Sequence, residues 1–374
     1  MNNEQKIIYN NLIKLSSENE AFYFKDFTID KTIYRIFNYR LASYTDFLSP
    51  SALEARGIMF EIINEKPIRL VARPMEKFFN YRENPFTENI DFSNSKQIML
   101  KEDGSLISSF IHDDALYLKS KGSVDSEQAN DSLFWLRKEE NEELYHDISD
   151  ITKLGYTINM EWTSPKNRIV IGYETERLVI LNIIKNDTGE YANLKELGQF
   201  FTKFTEYVVH DYLDYVNANY DNITDFIEQI KDEKDIEGYV IRTNADQIVK
   251  IKTEWYLTLH HVKDSINSRK RLFNAIITES IDDALSMFHD DALLVKQIND
   301  LVSEVEPKFN HMIQSVTDYY EENKNLTRKE YAIKAQGLND GFMSLYMNIY
   351  IGTKNDFKKF ALKNYKIFIG ENSE

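Results

Sequence analysis

The period of the hydrophobic pattern changes once along this chain, near residue 260, and that change limits the folds open to it. From about residue 30 to 256 the apolar runs are short and separated by turn residues. Tyr156-Thr157-Ile158-Asn159-Met160-Glu161-Trp162 alternates with period two, as a half-buried strand does. Leu178 to Ile184 is almost wholly apolar and stops at the turn Asn186-Asp187-Thr188-Gly189. Gly238 to Arg242 and Gln247 to Lys252 flank Thr243-Asn244-Ala245-Asp246 and read as a hairpin. Helical stretches interrupt this pattern at roughly 3–17, 126–150, 193–218 and 222–232. Beyond 260, the segments Leu272 to Phe288, Ala292 to Val305 and Arg328 to Tyr350 carry apolar residues three and four apart, and strand patterns vanish. The pattern predicts an α+β chain: a β-rich domain over 1–256 with antiparallel pairing, then an all-helical domain over 257–374.

A chain of 374 residues can bury a large core in two or three domains. Its 23 Tyr and 23 Phe supply that core and any surface that stacks bases. Cysteine is absent, which removes disulfides, thiolate metal sites and a Cys nucleophile, and fits a reducing compartment. Met1 to Lys6 lacks the apolar core of a signal peptide, and no apolar run reaches the ~20 residues that span a bilayer. The expected location is the cytoplasm, with no membrane partner. A net charge of −16 argues against a protein that coats nucleic acid nonspecifically, but leaves room for a local basic groove. The acids cluster between 139 and 150 and between 225 and 235, where solvated faces are the simplest reading.

Chemistry is suggested by a lysine at the end of a run. Ile98-Met99-Leu100 leads into Lys101-Glu102-Asp103-Gly104-Ser105, and a second run, Leu106 to Ile111, follows. This reads as strand, tight turn, strand, with an amine fixed at the rim of a sheet. A lysine held among other cations loses its proton more readily and becomes a nucleophile. Lys250-Ile251-Lys252 places two ammonium groups on one strand face, where a phosphate would relieve their repulsion and where they would ease a proton from Lys101. Glu161 sits inside the alternating strand and suits a ribose hydroxyl or a metal. Glu237 precedes a glycine at a strand start and offers the hard oxygen that magnesium prefers. Arg56-Gly57 and Arg73-Pro74-Met75-Glu76-Lys77 add cations that could reach a polyphosphate. Each segment alone also suits an ordinary surface strand or turn.

Taken in order, K-x-D-G, an internal strand glutamate, E-G-Y-V and K-x-K resemble motifs of the covalent nucleotidyltransferases, the superfamily of ATP-dependent ligases and mRNA capping enzymes. The flanks are similar to those of T-even phage RNA ligases of the tRNA-repair type (the RNA ligase 1 family). These flanks are Tyr34-Arg35-Ile36-Phe37, Arg56 to Phe60, Arg73 to Asn80, Glu83 to Thr87, Lys119 to Ser123, Asn167 to Val170, Tyr331 to Gly337 and Leu362 to Lys366.

The resemblance implies a nucleotidyltransferase domain over 1–256 and a helical domain over 257–374 concerned with tRNA. It implies an ATP-dependent RNA ligase using Mg2+. Lys101 would take AMP from ATP, pass it to an RNA 5′-phosphate, and allow a 3′-hydroxyl to displace it. By position, Tyr39, Arg56 and Lys77 would contact ATP. Glu161 would hold the ribose or assist a metal, and Glu237 would contact a metal near the phosphates. Lys250 and Lys252 would neutralise the α-phosphate. Tyr256 would matter for ligation, and Asp282 would bind magnesium from the helical part. The expected partner is RNA, a tRNA broken in its anticodon loop, in the cytoplasm of a host cell. A DNA ligase or capping enzyme is the alternative, expected to add an OB-fold's five strands after residue 256. A noncatalytic RNA end-binding protein retaining the fold is another.

Overall fold

The computed structural model describes residues 1–93, 95–278, 281 and 291–370. Two compact units divide the chain, Met1–Leu257 and Thr258–Glu374. No helix among the described residues is long and apolar enough to cross a membrane.

The first unit holds three four-stranded sheets. A meander of β1 (Phe22–Ile29), β2 (Thr32–Tyr39), β3 (Met59–Ile63) and β4 (Lys66–Ala72) forms one. Helix α1 (Asn3–Glu18) opens on a capping box between Asn2 and Gln5 and buries Ile8, Tyr9, Leu12 and Leu15 with Phe37 and Phe60 of this meander.

A second sheet contains β7 (Ser105–His112), β8 (Ala115–Ser120), β9 (Tyr156–Thr163) and β10 (Arg177–Lys185), in the order β10-β9-β7-β8. One face is apolar: Ile107, Ile158, Met160, Trp162 and Ile180 pack with Leu136, Leu144 and Ile148 from α2 (Glu127–Leu136) and α3 (Glu142–Lys153). The other face carries Glu161 and a hydrogen-bonded row, Ser108 Oγ to Asn159 Oδ1 at 2.7 Å and Asn159 Nδ2 to Asn182 Oδ1 at 2.9 Å.

The third sheet joins β5 (Phe79–Asn80), β6 (Ser95–Lys101), β11 (Gly238–Thr243) and β12 (Ile248–Lys252), in the order β5-β12-β11-β6. The hairpin expected at residues 238–252 is present, with Gly238 opposite Lys252 and Val240 opposite Lys250. Because strand side chains alternate, Ile98, Ile241 and Val249 point one way, into a core with Phe226, Ile227 and Ile230 of α6 (Ile223–Ile230). Lys101, Met99, Val240, Lys250 and Lys252 point the other way.

The strand, tight turn and strand expected around Lys101 are present, but the two strands belong to different sheets. β6 pairs with β11, whereas β7 pairs with β8 and β9, so residues 102–104 carry the chain from one sheet to another. Two residues explain the crossing. The Asp103 carboxylate accepts hydrogen bonds from the backbone N–H groups of Val170 and Ile171 at 2.8 and 2.7 Å, which ties the link to the neighbouring sheet's loop. Gly104 passes so close to Trp162 that a Cβ there would sit 2.3 Å from its carbonyl oxygen.

The second unit is helical throughout its described residues, and no strand follows Lys252 among them. The segment from Leu272 onward begins as α8 (Arg269–Ile277), and its later part lies outside the described residues. The helical pattern read over Ala292 to Val305 belongs to a longer helix, Ala292–Asn323, which contains Pro307. Proline removes one N–H from the ladder, but Ile298, Leu301, Val305, Met312 and Val316 stay buried on one face, and that burial outweighs the lost bond. Buried tyrosines tie the neighbouring helices: Tyr319 donates to the Tyr331 carbonyl at 2.8 Å, and Tyr331 to that of Tyr346 at 3.2 Å.

Candidate active site

The polar face of the third sheet and the polar face of the second line one cleft. It is bounded by Lys101, Met99, Val240 and Arg242 from β6 and β11, by Glu161 and Asn182 from β9 and β10, and by Arg56, Met75 and Phe78 from the connecting segments. Met99, Leu106, Leu181, Val240 and Ile248 make its lining largely apolar. Such a slot, with Lys101 in its wall, has the shape and lining to accept a flat heterocycle.

Lys101 ends β6, and register places it beside Gly238, which in turn faces Lys252. No side chain fits at Gly238: a Cβ would lie 1.9 Å from the Ile251 carbonyl oxygen, and its φ of +147° is one that L-residues avoid. The preceding residue, Glu237, is 3% exposed and points into the gap between the two lysines. Its Oε2 accepts from Lys101 Nζ at 2.7 Å and its Oε1 pairs with Lys252 Nζ at 2.9 Å. Besides the cations expected around it, Lys101 has a carboxylate partner.

Burial and mutual repulsion act on the neighbouring lysines instead. Lys250 is pushed down to about 8 by burial, with Lys77, Lys101 and Lys252 adding to the effect. Lys121 is lowered to about 8 by burial, then by Arg56 and Lys77. Lys77 is lowered by burial, and Arg56 and Lys252 act in the same direction against Glu83. These mutual influences place Arg56, Lys77, Lys101, Lys121, Lys250 and Lys252 within one cationic cluster, inside a chain of net charge −16. Six cations this close, with the one Glu237 carboxylate shared between two of them, favour a polyanion.

Tyr39 ends β2 at the edge of this cluster. Lys121 Nζ stands 4.4 Å from its ring centroid and Lys77 Nζ 5.8 Å away. The ring is held edge-on by Phe47 at 4.9 Å. Arg56 follows the short helical turns of residues 46–54, donates to the Met75 carbonyl at 3.4 Å and covers the Phe78 ring at 5.2 Å. Glu161, opposite Lys101 in the cleft, is raised to about 7 by burial, with Glu237 and Asp103 adding to that and Lys101 opposing it. Near neutrality its carboxyl can donate or accept a hydrogen bond.

Tyr256 is placed differently from the residues above. It is buried, and its hydroxyl donates to Asp103 Oδ1 at 2.7 Å. Lys252 Nζ lies 4.7 Å from its ring centroid. The tyrosine therefore lies beneath the site, holding the link that follows Lys101. Asp282 lies outside the described residues.

Sequence reasoning missed three contributors. Lys119 to Ser123 carries part of the family resemblance, but no role is read for Lys121 within it. Lys119 is fully buried, donates to the Gly57 and Ser120 carbonyls at 2.8 and 2.9 Å, and is pushed down to about 7 by burial. It braces the Arg56-Gly57 turn against β8. Asp103, read as a turn residue, collects Tyr256, Val170 and Ile171 on one carboxylate while its N–H donates to Tyr173 Oη at 3.0 Å.

Comparison with known proteins bears on the same residues. A family profile described as RNA ligase matches residues 54–256, and one described as T4 RNA ligase 1, C-terminal domain, matches residues 263–372. A protein of Thermovibrio ammonificans named "Putative RNA ligase" is 27% identical over 273 residues, covering 70% of this chain and 67% of its own length. The "Putative bifunctional polynucleotide kinase/RNA ligase" of Autographa californica nuclear polyhedrosis virus is 24% identical over 306 residues, and the match spans 71% of this chain but only 42% of the viral protein. Among solved structures, a Naegleria gruberi RNA ligase variant with ATP and Mn aligns at a TM-score of 0.38 and 15% identity, over 54% of this chain and 62% of that one. A "Putative ATP-dependent DNA ligase" from Aquifex aeolicus aligns at 0.45 and 15% identity, over 89% and 88%. With both profiles matched in order along its length, the chain belongs to the T4 RNA ligase 1 family of RNA ligases.

Proposed function

We propose that this chain joins RNA ends at the expense of ATP, with Lys101 as the nucleophile. The observation that carries this reading is the Lys101 side chain lining a largely apolar slot, within a cluster that also holds Arg56, Lys77, Lys121, Lys250 and Lys252. The adenosine of ATP occupies the slot and its phosphates lie among the cations. Lys101 Nζ gives up its proton and its lone pair forms an N–P bond to the α-phosphorus. The P–O bond to pyrophosphate breaks, and pyrophosphate leaves with that electron pair. The RNA 5′-phosphate oxygen then takes the AMP, releasing the lysine. The 3′-hydroxyl attacks that 5′-phosphorus, and AMP leaves with the bonding pair as the new phosphodiester forms. Positioning and charge neutralisation do most of the work.

Glu161 holds the ribose and Tyr39 braces the phosphate cations. Tyr256 acts through Asp103, fixing the link that aims Lys101. For a divalent ion, Glu237 has the right chemistry: both oxygens are hard donors, and both are now engaged by ammonium groups that a cation would displace. Such an ion, Mg2+ in this reading, would supply charge that neutralises the phosphates there. The natural substrate is a broken tRNA recognised with help from the helical unit, in the cytoplasm.

Incubation with labelled ATP and a divalent metal, followed by single-stranded RNA or nicked duplex DNA, tests the reading. Joining of RNA in preference to the nick supports it. RNA binding without AMP release points to an end-binding protein, and preferential sealing of nicked DNA points to a DNA ligase. Competition between cleaved tRNA and simple oligonucleotides on the full chain tests the tRNA assignment, and equal use of the two would remove it.

A further inference from the structure

Away from the cleft, two hairpin turns from different sheets bring metal-ligating groups together. Asp30 lies in the turn between β1 and β2, while His112 ends β7 and Asp113 follows it in the turn to β8. The His112 side chain is 3% exposed, and its Nε2 lies 3.1 Å from Asp30 Oδ2 and 3.7 Å from Asp113 Oδ2. We propose that Asp30, His112 and Asp113 form a second, non-catalytic divalent-metal site, of the nitrogen-and-oxygen kind that zinc fills, which staples the two turns together.

Three observations converge on it. The first is spacing. Zinc ligand atoms at about 2.0–2.1 Å from the metal in a tetrahedron stand about 3.3–3.4 Å from one another, and the two measured separations bracket that edge. All three ligand atoms lie within 4.8 Å of one another. The second is the imidazole's orientation. Its Nδ1 is 2.8 Å from the Tyr34 hydroxyl and its Nε2 hydrogen-bonds Asp30 Oδ2 at 3.1 Å, so the ring is fixed with Nε2 aimed at the carboxylates, where a metal would replace the shared proton. A partner on the far nitrogen is how metal-binding histidines are held. The third is charge. Among the described residues, neither Asp30 nor Asp113 pairs with a lysine or arginine. The nearby Arg69 is committed to Glu61 at 2.5 Å and to the Ile111 carbonyl at 3.1 Å. Both aspartates are exposed, so they can swing to close the remaining distance and leave a position for water. One imidazole with two carboxylates selects zinc, or manganese more weakly, over magnesium, which prefers all-oxygen shells.

The test is calorimetric titration of the full chain, stripped by chelator, with zinc alone and then with magnesium present. We expect one zinc equivalent that excess magnesium does not displace and that weakens at least tenfold in D30N/D113N. These side chains are exposed, so that variant keeps the fold, and its adenylylation of Lys101 should be unchanged. Cobalt in place of zinc should give visible absorption of tetrahedral intensity in the parent and not in the double variant. Zinc binding that persists in D30N/D113N and disappears in Glu237→Gln would locate the metal in the cleft and overturn the proposal, as would no zinc binding at all.

Discussion

Glu237 stands between Lys101 and Lys252, one carboxylate oxygen on each ammonium, at 2.7 and 2.9 Å. It sits where a phosphate between the two cations would compete with it. Glu237→Gln keeps the shape and removes the charge. Loss of the hard carboxylate oxygens that would hold a divalent ion beside the phosphates predicts lysyl-AMP formation slowed by about ten- to a hundredfold. Single-turnover adenylylation measures this, and an unchanged rate would remove Glu237 from the chemistry.

The lysine cluster predicts a pH dependence of ATP binding. Lys121 and Lys250 have folded values near 8, below the 10.5 of a free lysine. In the free protein they lose their protons as pH rises through 8, and with them their attraction for phosphate. ATP affinity should therefore fall above pH 8, by up to about tenfold per lysine per pH unit, and binding near pH 8 should take up protons. Calorimetry of Lys101→Ala in two buffers of different ionisation enthalpy reads that uptake directly. The same shifts have the opposite sign for folding. Between about 8 and 10.5 the unfolded chain binds more protons at these two positions, so their charging penalty is relieved and their contribution to stability rises with pH.

Much of this site was legible before the fold. Period two around Glu161, the lysine pair of β12 and the run before Lys101 locate strands, and alternation then decides which side chains share a face. What escaped was non-local. Nothing near Asp103 in the chain announces that Val170, Ile171 and Tyr256 converge on its carboxylate, and an Asp-Gly pair followed by an apolar run imitates a hairpin. The carboxylate partner of Lys101 escaped for the same reason, since 136 residues separate the two.

Tyr256→Phe removes a single hydroxyl from the Asp103 hub. A buried carboxylate left with one donor fewer costs about 1–3 kcal/mol of stability. If the tyrosine only aims Lys101, adenylylation and strand joining should both fall, by tenfold or less, with KM for ATP little changed. Thermal unfolding and steady-state kinetics separate these effects, and a variant as active and stable as the parent would contradict the hub.

Pro307→Ala restores the N–H missing from the long helix of the second unit. The substitution should stabilise the chain by about 1–3 kcal/mol, read as a higher unfolding temperature. A fall in that temperature would mean that the proline ring's packing outweighs the ladder bond.

The most direct measurement is the intact mass of the chain after incubation with ATP and a divalent metal. One added adenylate, mapped to Lys101, labile to acid and absent from Lys101→Ala, is the predicted result. A chain that gains no adenylate, or gains it equally in Lys101→Ala, would contradict covalent catalysis by this lysine.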